Sequence, residues 1–352
     1  MKILFLIIIF SSIFNLRNNS QVLEDTTLVI VEGQDAELAF NKGIDFFKNK
    51  QYNEALENFS EAIKLKPNFA LAYFNRANVY FELHNYNEAI NDLKKTIDLD
   101  SNIIQAYYLL GRCYHLLNNS EEAFKFYTIS INKGIKDSKA YYYRGQICFQ
   151  KSEYQSALND FNEAIKLDGN NEFYYNDRGS TYRKLDKIDE AISDYLKAIS
   201  INNKVDFFYT NLGSAYRKKG NLDKAIESYT KAIELNKENY IAYNNRGTVK
   251  FEKKDYNGAS KDFEQALKIK PAYILALNNY ACAKIKLKDY KKAVEILTEV
   301  INKYPDFTEA YLNRGIAYEE LRQLEKACID WEKAIKSGIK EAETYFSYDC
   351  KK

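Results

Sequence analysis

Hydrophobic and polar positions follow a pattern that repeats along the chain every 34 residues. When residues 36–341 are divided into blocks of that length, nine blocks fit without an insertion or a deletion. Places 4, 8 and 11 of a block are mainly apolar or small and share a helix face with place 7, and places 20, 24, 27 and 28 are mainly apolar or small as a second set. Each of these two sets lies on one face of an α-helix. The pattern therefore predicts nine helix–turn–helix hairpins and an all-α chain.

Small residues mark the places where the two helices of a hairpin would meet. Place 20 is alanine in every block, and place 8 is glycine in seven blocks and alanine in two. A small residue at both places lets the two helix backbones come close together. The three prolines of the protein all fall at place 32, where proline ends the second helix of a block: Pro67, Pro271 and Pro305.

The block pattern resembles the tetratricopeptide repeat, a 34-residue helical hairpin with Gly or Ala at place 8, Ala at 20, an aromatic at 24, Ala at 27 and Pro at 32. Residues 211–236, NLGSAYRKKGNLDKAIESYTKAIELN, match nearly all of these places. The resemblance covers 306 of the 352 residues. It implies a right-handed superhelical solenoid of nine repeats: 36–69, 70–103, 104–137, 138–171, 172–205, 206–239, 240–273, 274–307 and 308–341.

Three departures from the family pattern cluster in repeats seven and eight. Lys250 and Lys284 stand where an aromatic residue is usual at place 11, and Val300 stands where alanine is expected. We expect local looseness around these two repeats. Each repeat of such an array buries surface against its neighbours, so the chain forms one continuous unit.

The two ends of the chain differ from the repeats. Residues 1–14 hold one lysine followed by ILFLIIIFSSIF, about the length of a secretory signal's apolar core and short for a bilayer span. We expect residues 1–20 to be a signal peptide cleaved after Ser20, with a buried N-terminal helix as the alternative. Residues 21–35 form a leader, in which TTLVIV pairs as a strand or packs on repeat one. Residues 342–352 form a C-terminal cap.

The signal peptide predicts an exported chain, located in the periplasm or secreted. Removal of residues 1–20 takes away two basic residues and no acid, so the formal charge falls from +2 to 0. A balanced surface does not favour nucleic acid, and the mature chain has no basic amphipathic helix for a membrane surface. The expected partner is therefore another protein or a peptide segment.

Cysteine and histidine usage gives no catalytic, cofactor or metal site. The five cysteines, Cys113, Cys148, Cys282, Cys328 and Cys350, occupy different places of different repeats, with no zinc-type spacing. The odd count leaves at least one thiol free, and the scatter favours small packed residues over a disulfide framework, with Cys350 exposed in the tail. His84 and His115 lack a nucleophile at a recognisable motif, so we expect no enzymatic activity.

The candidate functional surface is the stripe formed by places 2, 5, 9, 12 and 13 of each first helix. The family resemblance implies that this stripe lines the concave wall of the superhelix, where partner segments bind. The predicted groove residues are aromatic or polar in the N-terminal half and basic in repeats five and six: Phe40, Phe47, Phe74, Asn78, Phe81, Tyr108, Arg112, Tyr142, Phe149, Phe173, Arg183, Lys184, Phe207, Arg217 and Lys218.

Two alternatives accompany this interpretation. In the first, the aromatic residues at place 12 only pack on the neighbouring repeat, and the charges form a solvated face. In the second, these residues anchor a partner, because aromatic and arginine side chains dominate interfaces. The favoured function is a non-enzymatic protein-binding scaffold of the cell envelope. The alternative function is a carbohydrate-binding groove in which Phe and Tyr rings stack on sugars.

A separate set of charges follows a 16-residue spacing inside the blocks. Repeats two, four, five, seven and nine carry arginine at place 7, and the same five carry aspartate at place 23; the other four repeats have neither. This matching predicts five structural ion pairs, each within one hairpin: Arg76 with Asp92, Arg144 with Asp160, Arg178 with Asp194, Arg246 with Asp262, and Arg314 with Asp330.

Overall fold

The computed structural model describes residues 34–350, which form nineteen α-helices and no strand. The predicted all-α repeat solenoid is confirmed. The helices are α1 (Gln34–Lys48), α2 (Tyr52–Leu65), α3 (Ala70–Glu82), α4 (Tyr86–Leu99), α5 (Ile104–Leu116), α6 (Ser120–Asn132), α7 (Ser138–Gln150), α8 (Tyr154–Leu167), α9 (Glu172–Lys184), α10 (Ile188–Ile201), α11 (Asp206–Lys218), α12 (Leu222–Leu235), α13 (Tyr240–Glu252), α14 (Tyr256–Ile269), α15 (Ile274–Lys286), α16 (Tyr290–Lys303), α17 (Glu309–Glu320), α18 (Leu324–Lys336) and α19 (Glu341–Asp349).

Consecutive helices pair into hairpins, and each hairpin packs on the next. The turn inside every hairpin uses a left-handed backbone residue at place 15, which is glycine only at Gly220 and is a side-chain-bearing residue elsewhere. A single left-handed residue after a helix ends it and redirects the chain. Every hairpin therefore has the same backbone conformation at its turn.

Glycine at place 8 meets the aromatic ring at place 24 of the same repeat. A Cβ atom added to Gly315 would lie 2.3 Å from Nε1 of Trp331, and one added to Gly213 would lie 2.7 Å from Cε1 of Tyr229. Both rings are almost fully buried. The family pattern of a small residue at place 8 thus reflects a ring that fills the space of its side chain.

The ends of the array differ slightly from the predicted boundaries. Helix α1 begins at Gln34, so the leader predicted for residues 21–35 ends two residues earlier; Asp35 and Glu37 in the first turn favour a helix start there. The predicted signal peptide and residues 21–33 lie outside the described residues. Helix α19 occupies the predicted C-terminal cap. Between residues 34 and 350, no helix has the length and apolar character needed to cross a bilayer.

The expectation for the cysteines was wrong at the C-terminal end of the array. Cys350 forms a disulfide with Cys328, because α19 folds back on α18 and brings their Cα atoms to 5.7 Å. Cys113 and Cys148 are buried thiols, and Cys282 is a half-buried thiol. Burial raises the pKa of the Cys282 thiol to about 11 and keeps it protonated at neutral pH. The disulfide fixes the capping helix to the last repeat.

Repeats seven and eight do not show the expected looseness. Lys250 forms an ion pair of 2.8 Å with Asp262, and the Lys284 ammonium lies 5.2 Å from the centre of the Tyr280 ring. Val300 is fully buried. Helices α13 to α16 have the same lengths as their counterparts in most other repeats. The long lysine stems replace the packing of the usual aromatic residue.

Candidate functional site

The five arginine–aspartate pairs form inside their hairpins, with two parallel hydrogen bonds in each. In repeat nine, Arg314 Nε donates to Asp330 Oδ2 at 2.7 Å and Nη2 donates to Oδ1 at 2.8 Å. The other four pairs have the same two contacts, between 2.6 and 2.9 Å. All five aspartates are buried. These hydrogen bonds fix the second helix against the first.

The third guanidinium nitrogen of each arginine reaches the preceding repeat. Arg246 Nη1 donates to Thr230 Oγ1 at 3.0 Å, and Arg178 Nη1 donates to the Asn162 side-chain oxygen at 2.8 Å. Every acceptor stands at place 25: Ser60, Thr128, Asn162, Thr230 and Thr298. Each arginine therefore links its own hairpin to the one before it, in addition to the bond within the hairpin that the spacing predicted.

These charges are structural in their chemistry. The hydrogen bond to Asp330 raises the pKa of Arg314, against the opposing effect of burial. Both carboxylate oxygens accept from the arginine, and in Asp262 one of them also pairs with Lys250. A desolvated ion pair of this kind specifies geometry more than it adds net stability.

The aromatic half of the predicted groove is half-buried. Phe81 packs on Tyr86 with ring centres 5.6 Å apart, and Phe149 packs on Tyr154 at 5.5 Å. Phe47 does the same with Tyr52 at 5.9 Å. In these repeats, place 12 packs against place 17 of its own hairpin. The remaining predicted residues of this half, Phe40, Phe74, Asn78, Tyr108, Arg112 and Tyr142, are half-buried as well.

Arg112 is held between rings of the neighbouring repeats. Its guanidinium carbon lies 5.2 Å from the centre of the Phe81 ring and 4.7 Å from that of Tyr143. Its Nη1 donates to the Tyr108 hydroxyl at 3.4 Å. Stacking of this kind joins repeats two, three and four through one cation. The N-terminal half of the predicted groove is therefore largely engaged in contacts between repeats.

The basic half of the wall contains an open cleft of about 460 Å³. It is lined by predicted groove residues of repeats five and six together with polar residues of repeats six and seven: Arg183, Ser214, Arg217, Lys218, Tyr229, Asn245 and Glu252. We call it the cationic cleft. Three of the predicted basic residues thus meet at one place. Lys184, Phe173 and Phe207 are exposed and do not line this cleft.

The three cations of the cleft differ in their partners. Arg217 Nε donates to Glu252 Oε1 at 2.8 Å, and Lys218 lies 2.6 Å from Asp186. Both pairs are well exposed to solvent, where ion pairs contribute little. Arg183 forms no ion pair with a carboxylate among residues 34–350; its side chain is hydrogen-bonded to Tyr195, and its buried Nε has no hydrogen-bond acceptor. The charge of Arg183 is therefore not compensated by an acidic side chain of the described residues.

A second, more apolar cleft of about 330 Å³ follows in repeats seven to nine. Its lining includes Phe251, Cys282, Ile285 and Ile316 from the first helices, and Tyr345 from α19. Phe251 lines this cleft and the adjacent Glu252 of α13 lines the cationic cleft, so the two clefts adjoin at α13. The Tyr345 ring is stacked on Trp331 at 5.3 Å and closes the C-terminal end.

Polar side chains at places 5 and 6 bond between repeats, which the sequence analysis missed. The side-chain amide nitrogen of Asn211 donates to the side-chain oxygen of Asn176 at 2.9 Å, and Asn279 donates to Asn244 at 3.1 Å. Asn313 donates to Asn278 in the same way at 2.9 Å. Each pair joins two asparagines that are 35 residues apart, and this repeated spacing in the sequence is the signal that predicts the bonds. These amides stabilise the wall and are occupied before any partner arrives.

Comparison with known families agrees with this architecture. Models described as "Tetratricopeptide repeat" match residues 70–103, 138–171 and 207–239, residues 250–313, and residues 104–128, 174–205 and 308–337. A further model, described as "TPR repeat", matches residues 43–84. Together these matches cover most of the chain. The chain is a tetratricopeptide repeat protein.

Solved structures with the same architecture include three that align over much of the tetratricopeptide array. YrrB, a TPR protein with an unusual peptide-binding site, is 25% identical over 53% of this chain and 97% of its own, with a TM-score of 0.51. A chain of the APC/C hetero-tetramer Cut9-Hcn1 is 14% identical over 92% of this chain and 78% of its own, with a TM-score of 0.58. A TPR protein from Parabacteroides merdae ATCC 43184 is 17% identical over 69% of this chain and 98% of its own, with a TM-score of 0.57. No curated protein sequence matches.

Proposed function

We propose that this tetratricopeptide repeat protein is a non-enzymatic scaffold that holds an acidic segment of a partner protein in the cationic cleft. The family binds other proteins or peptides, and YrrB is itself a peptide-binding relative. The observation that carries the proposal is Arg183, which has no carboxylate partner among the described residues and lines the same open cleft as Arg217 and Lys218. A partner carboxylate compensates the charge of Arg183 and replaces Glu252 on Arg217.

The energetic balance favours exchange of carboxylates at the cleft. The existing pairs of Arg217 and Lys218 are exposed, so little free energy is lost when a partner acid displaces Glu252 or Asp186. A charge-assisted hydrogen bond to Arg183 contributes about 1.5 to 3 kcal/mol. The half-buried aromatic residues of repeats one to four pack within the wall, so they give no specific support to a sugar-stacking function.

We further propose that the chain acts outside the cytoplasm, in the periplasm or as a secreted protein. The apolar segment at residues 1–20 and the Cys328–Cys350 disulfide support this location, because disulfides persist in oxidising compartments. N-terminal sequencing of the mature chain after cell fractionation tests it. A new N-terminus at Gln21 in an exported fraction supports the proposal, and a chain retained with Met1 in the cytoplasm contradicts it.

Affinity capture from extracts of the source cells tests the proposed function with matched variants. The bait carries Arg183→Glu and Arg217→Glu, and the control bait carries Lys64→Glu and Lys166→Glu on the exposed faces of α2 and α8. Both baits undergo the same change in net charge. A partner retained by the wild type and the control but lost from the cleft variant supports the proposal. Equal retention by both variants, with unchanged thermal unfolding, contradicts it.

A further inference from the structure

A row of exposed apolar side chains runs along repeats five to eight at place 2. Phe173 and Phe207 are each 40% exposed, Ile241 is 42% exposed and Leu275 is 47% exposed. The same place holds Lys139 in the repeat before and Glu309 in the repeat after. We call the four residues the apolar ridge. Its members occupy the same place of four consecutive repeats.

The apolar ridge faces the concave groove. Phe207 precedes Ser214 by seven residues on α11, which places the two side chains within about 20° of each other around the helix. Ser214 lines the cationic cleft. The same spacing joins Ile241 to Thr248 and Leu275 to Cys282, which line the second cleft. The Phe173 and Phe207 rings are stacked 6.3 Å apart, so the ridge is continuous across repeats five and six.

Cations line the opposite edge of the same helices. Place 12 holds Arg183 in repeat five and Arg217 in repeat six, ten residues after the ridge members Phe173 and Phe207. At 1.5 Å per residue this separates the two edges by about 15 Å. An α-helix with its side chains is about 10 to 12 Å wide, so a helix between the edges reaches both. Repeats five to eight therefore form a groove with one apolar edge and one basic edge in its N-terminal half.

The floor of this groove offers few partners to an extended peptide backbone. Three pairs of side-chain amides link neighbouring repeats, as in Asn211 with Asn176 and Asn279 with Asn244, whereas among the described residues Asn245 accepts only from its neighbour Asn244. The backbone groups of the walls lie in α-helices and are bonded within them. An extended segment would leave its own N–H and C=O groups without protein partners, whereas a helix satisfies these groups internally.

We infer that the partner segment is an amphipathic α-helix, apolar along one face and acidic along the opposite face, lying across α9, α11, α13 and α15. This inference rests on the proposed function and adds the conformation and polarity of the partner. Residues i and i+4 of the bound helix are about 6 Å apart along its axis. That distance is close to the 6.3 Å between the Phe173 and Phe207 rings, so successive apolar residues meet successive ridge members. Its acidic face meets Arg183, Arg217 and Lys218.

Two synthetic peptides of identical composition test the inference. Both have about 18 residues of Leu, Glu and Ala, long enough for about 27 Å of helix. One places Leu and Glu on opposite faces of a helix, and its isomer alternates them as in a strand. Binding to the full chain is measured by fluorescence anisotropy. We expect the helical isomer to bind and to gain helicity by circular dichroism, and the alternating isomer to bind at least about tenfold more weakly.

Matched variants separate the ridge from exposed apolar residues elsewhere. Phe207→Ser with Ile241→Ser removes the centre of the ridge, while Leu167→Ser with Leu235→Ser changes residues of similar exposure, 42% and 37%, at the ends of second helices. We expect the ridge variant to weaken binding of the helical isomer by about tenfold or more, as for a central interface anchor. The control should not change the affinity. These residues are exposed, so all variants should fold.

Three results overturn the inference: equal binding of the two isomers, no binding of the helical isomer, and an unchanged affinity of the ridge variant. If the helical isomer fails while capture of the natural partner still depends on Arg183 and Arg217, the proposed function stands and the helical occupant is wrong. If the ridge variant weakens binding but charge reversal at Arg183 and Arg217 does not, the acidic partner of the proposed function is wrong.

Discussion

Arg144 and Asp160 are joined by two parallel hydrogen bonds, with Nε 2.9 Å from Oδ2 and Nη2 2.6 Å from Oδ1. The aspartate is 5% exposed, so its charge depends on the guanidinium for compensation. Replacing one partner of a buried pair leaves a charge without a counterion, whereas replacing both removes the problem. This asymmetry makes the pair testable by a double-mutant cycle.

We predict that Arg144→Leu lowers the free energy of unfolding by about 3 to 5 kcal/mol, because it strands the Asp160 carboxylate. Arg144→Leu combined with Asp160→Leu should lose much less, since repeat three has no such pair and places Leu110 at the same place 7. Urea unfolding of the wild type, both single variants and the double variant provides the cycle. Additive losses would show that the two residues do not act as a pair.

The equivalent change in repeat seven should be milder. Asp262 accepts from Arg246 and also lies 2.8 Å from the Lys250 ammonium, so a second cation remains after Arg246→Leu. We predict that Arg246→Leu destabilises less than Arg144→Leu, and that adding Lys250→Met restores the larger loss. The same unfolding measurement checks both. A loss for Arg246→Leu as large as that for Arg144→Leu would contradict a compensating role of Lys250.

The glycine–aromatic contact predicts different costs at the same place of two repeats. Gly315→Ala would put Cβ 2.3 Å from Trp331 Nε1, and the buried indole has little room to move, so we expect a loss of about 1 to 3 kcal/mol. At Gly145 the added atom would lie 3.0 Å from Phe161 Cε1. There we expect a change within about 1 kcal/mol, since alanine also favours the helix. Equal melting temperatures for the two variants would refute the steric argument.

The environment of His115 predicts one component of the pH dependence of stability. The His115 ring packs on Tyr127 and Tyr143. Burial is the larger cause and the Arg112 charge the smaller cause that lower the pKa of His115 below 6.5. The unfolded chain then binds more protons than the folded chain, so stability falls as the pH drops through about 6.5 and is constant above it. We expect His115→Phe, the residue found at place 12 in four other repeats, to lose less stability between pH 7 and pH 5. Parallel curves for both proteins in thermal unfolding would count against this assignment.

Much of the fold could be predicted from the sequence because the period of 34 residues fixes which side chains share a face. The arginine–aspartate pairs could be predicted because arginine at place 7 and aspartate at place 23 occur in the same five repeats. The third contact had an equally clear signal: place 25 is Ser, Thr or Asn before every repeat with the arginine, and Lys94, Leu196 or Glu264 before the repeats that lack it. Because this acceptor is neutral, a match between opposite charges does not reveal it.

Other features could not be obtained from the repeat pattern. The Cys328–Cys350 disulfide depends on how the last nine-residue helix folds back, and α19 has no neighbouring repeat to set its position. The division of the groove into packed aromatic residues and open basic residues depends on the neighbouring side chains. Phe81 is covered by Tyr86 and Arg112, whereas Arg183 has neither a ring stacked on it nor a carboxylate among the described residues.

The proposed binding face is the concave wall of repeats five to seven. Hydrogen–deuterium exchange of the chain, with and without its captured partner, measures which helices the partner covers. We expect slower exchange on binding in α9, α11 and α13, which carry Arg183, Arg217 and Glu252. Slower exchange confined to the second helices α10, α12 and α14, or to repeats one and two, would contradict it.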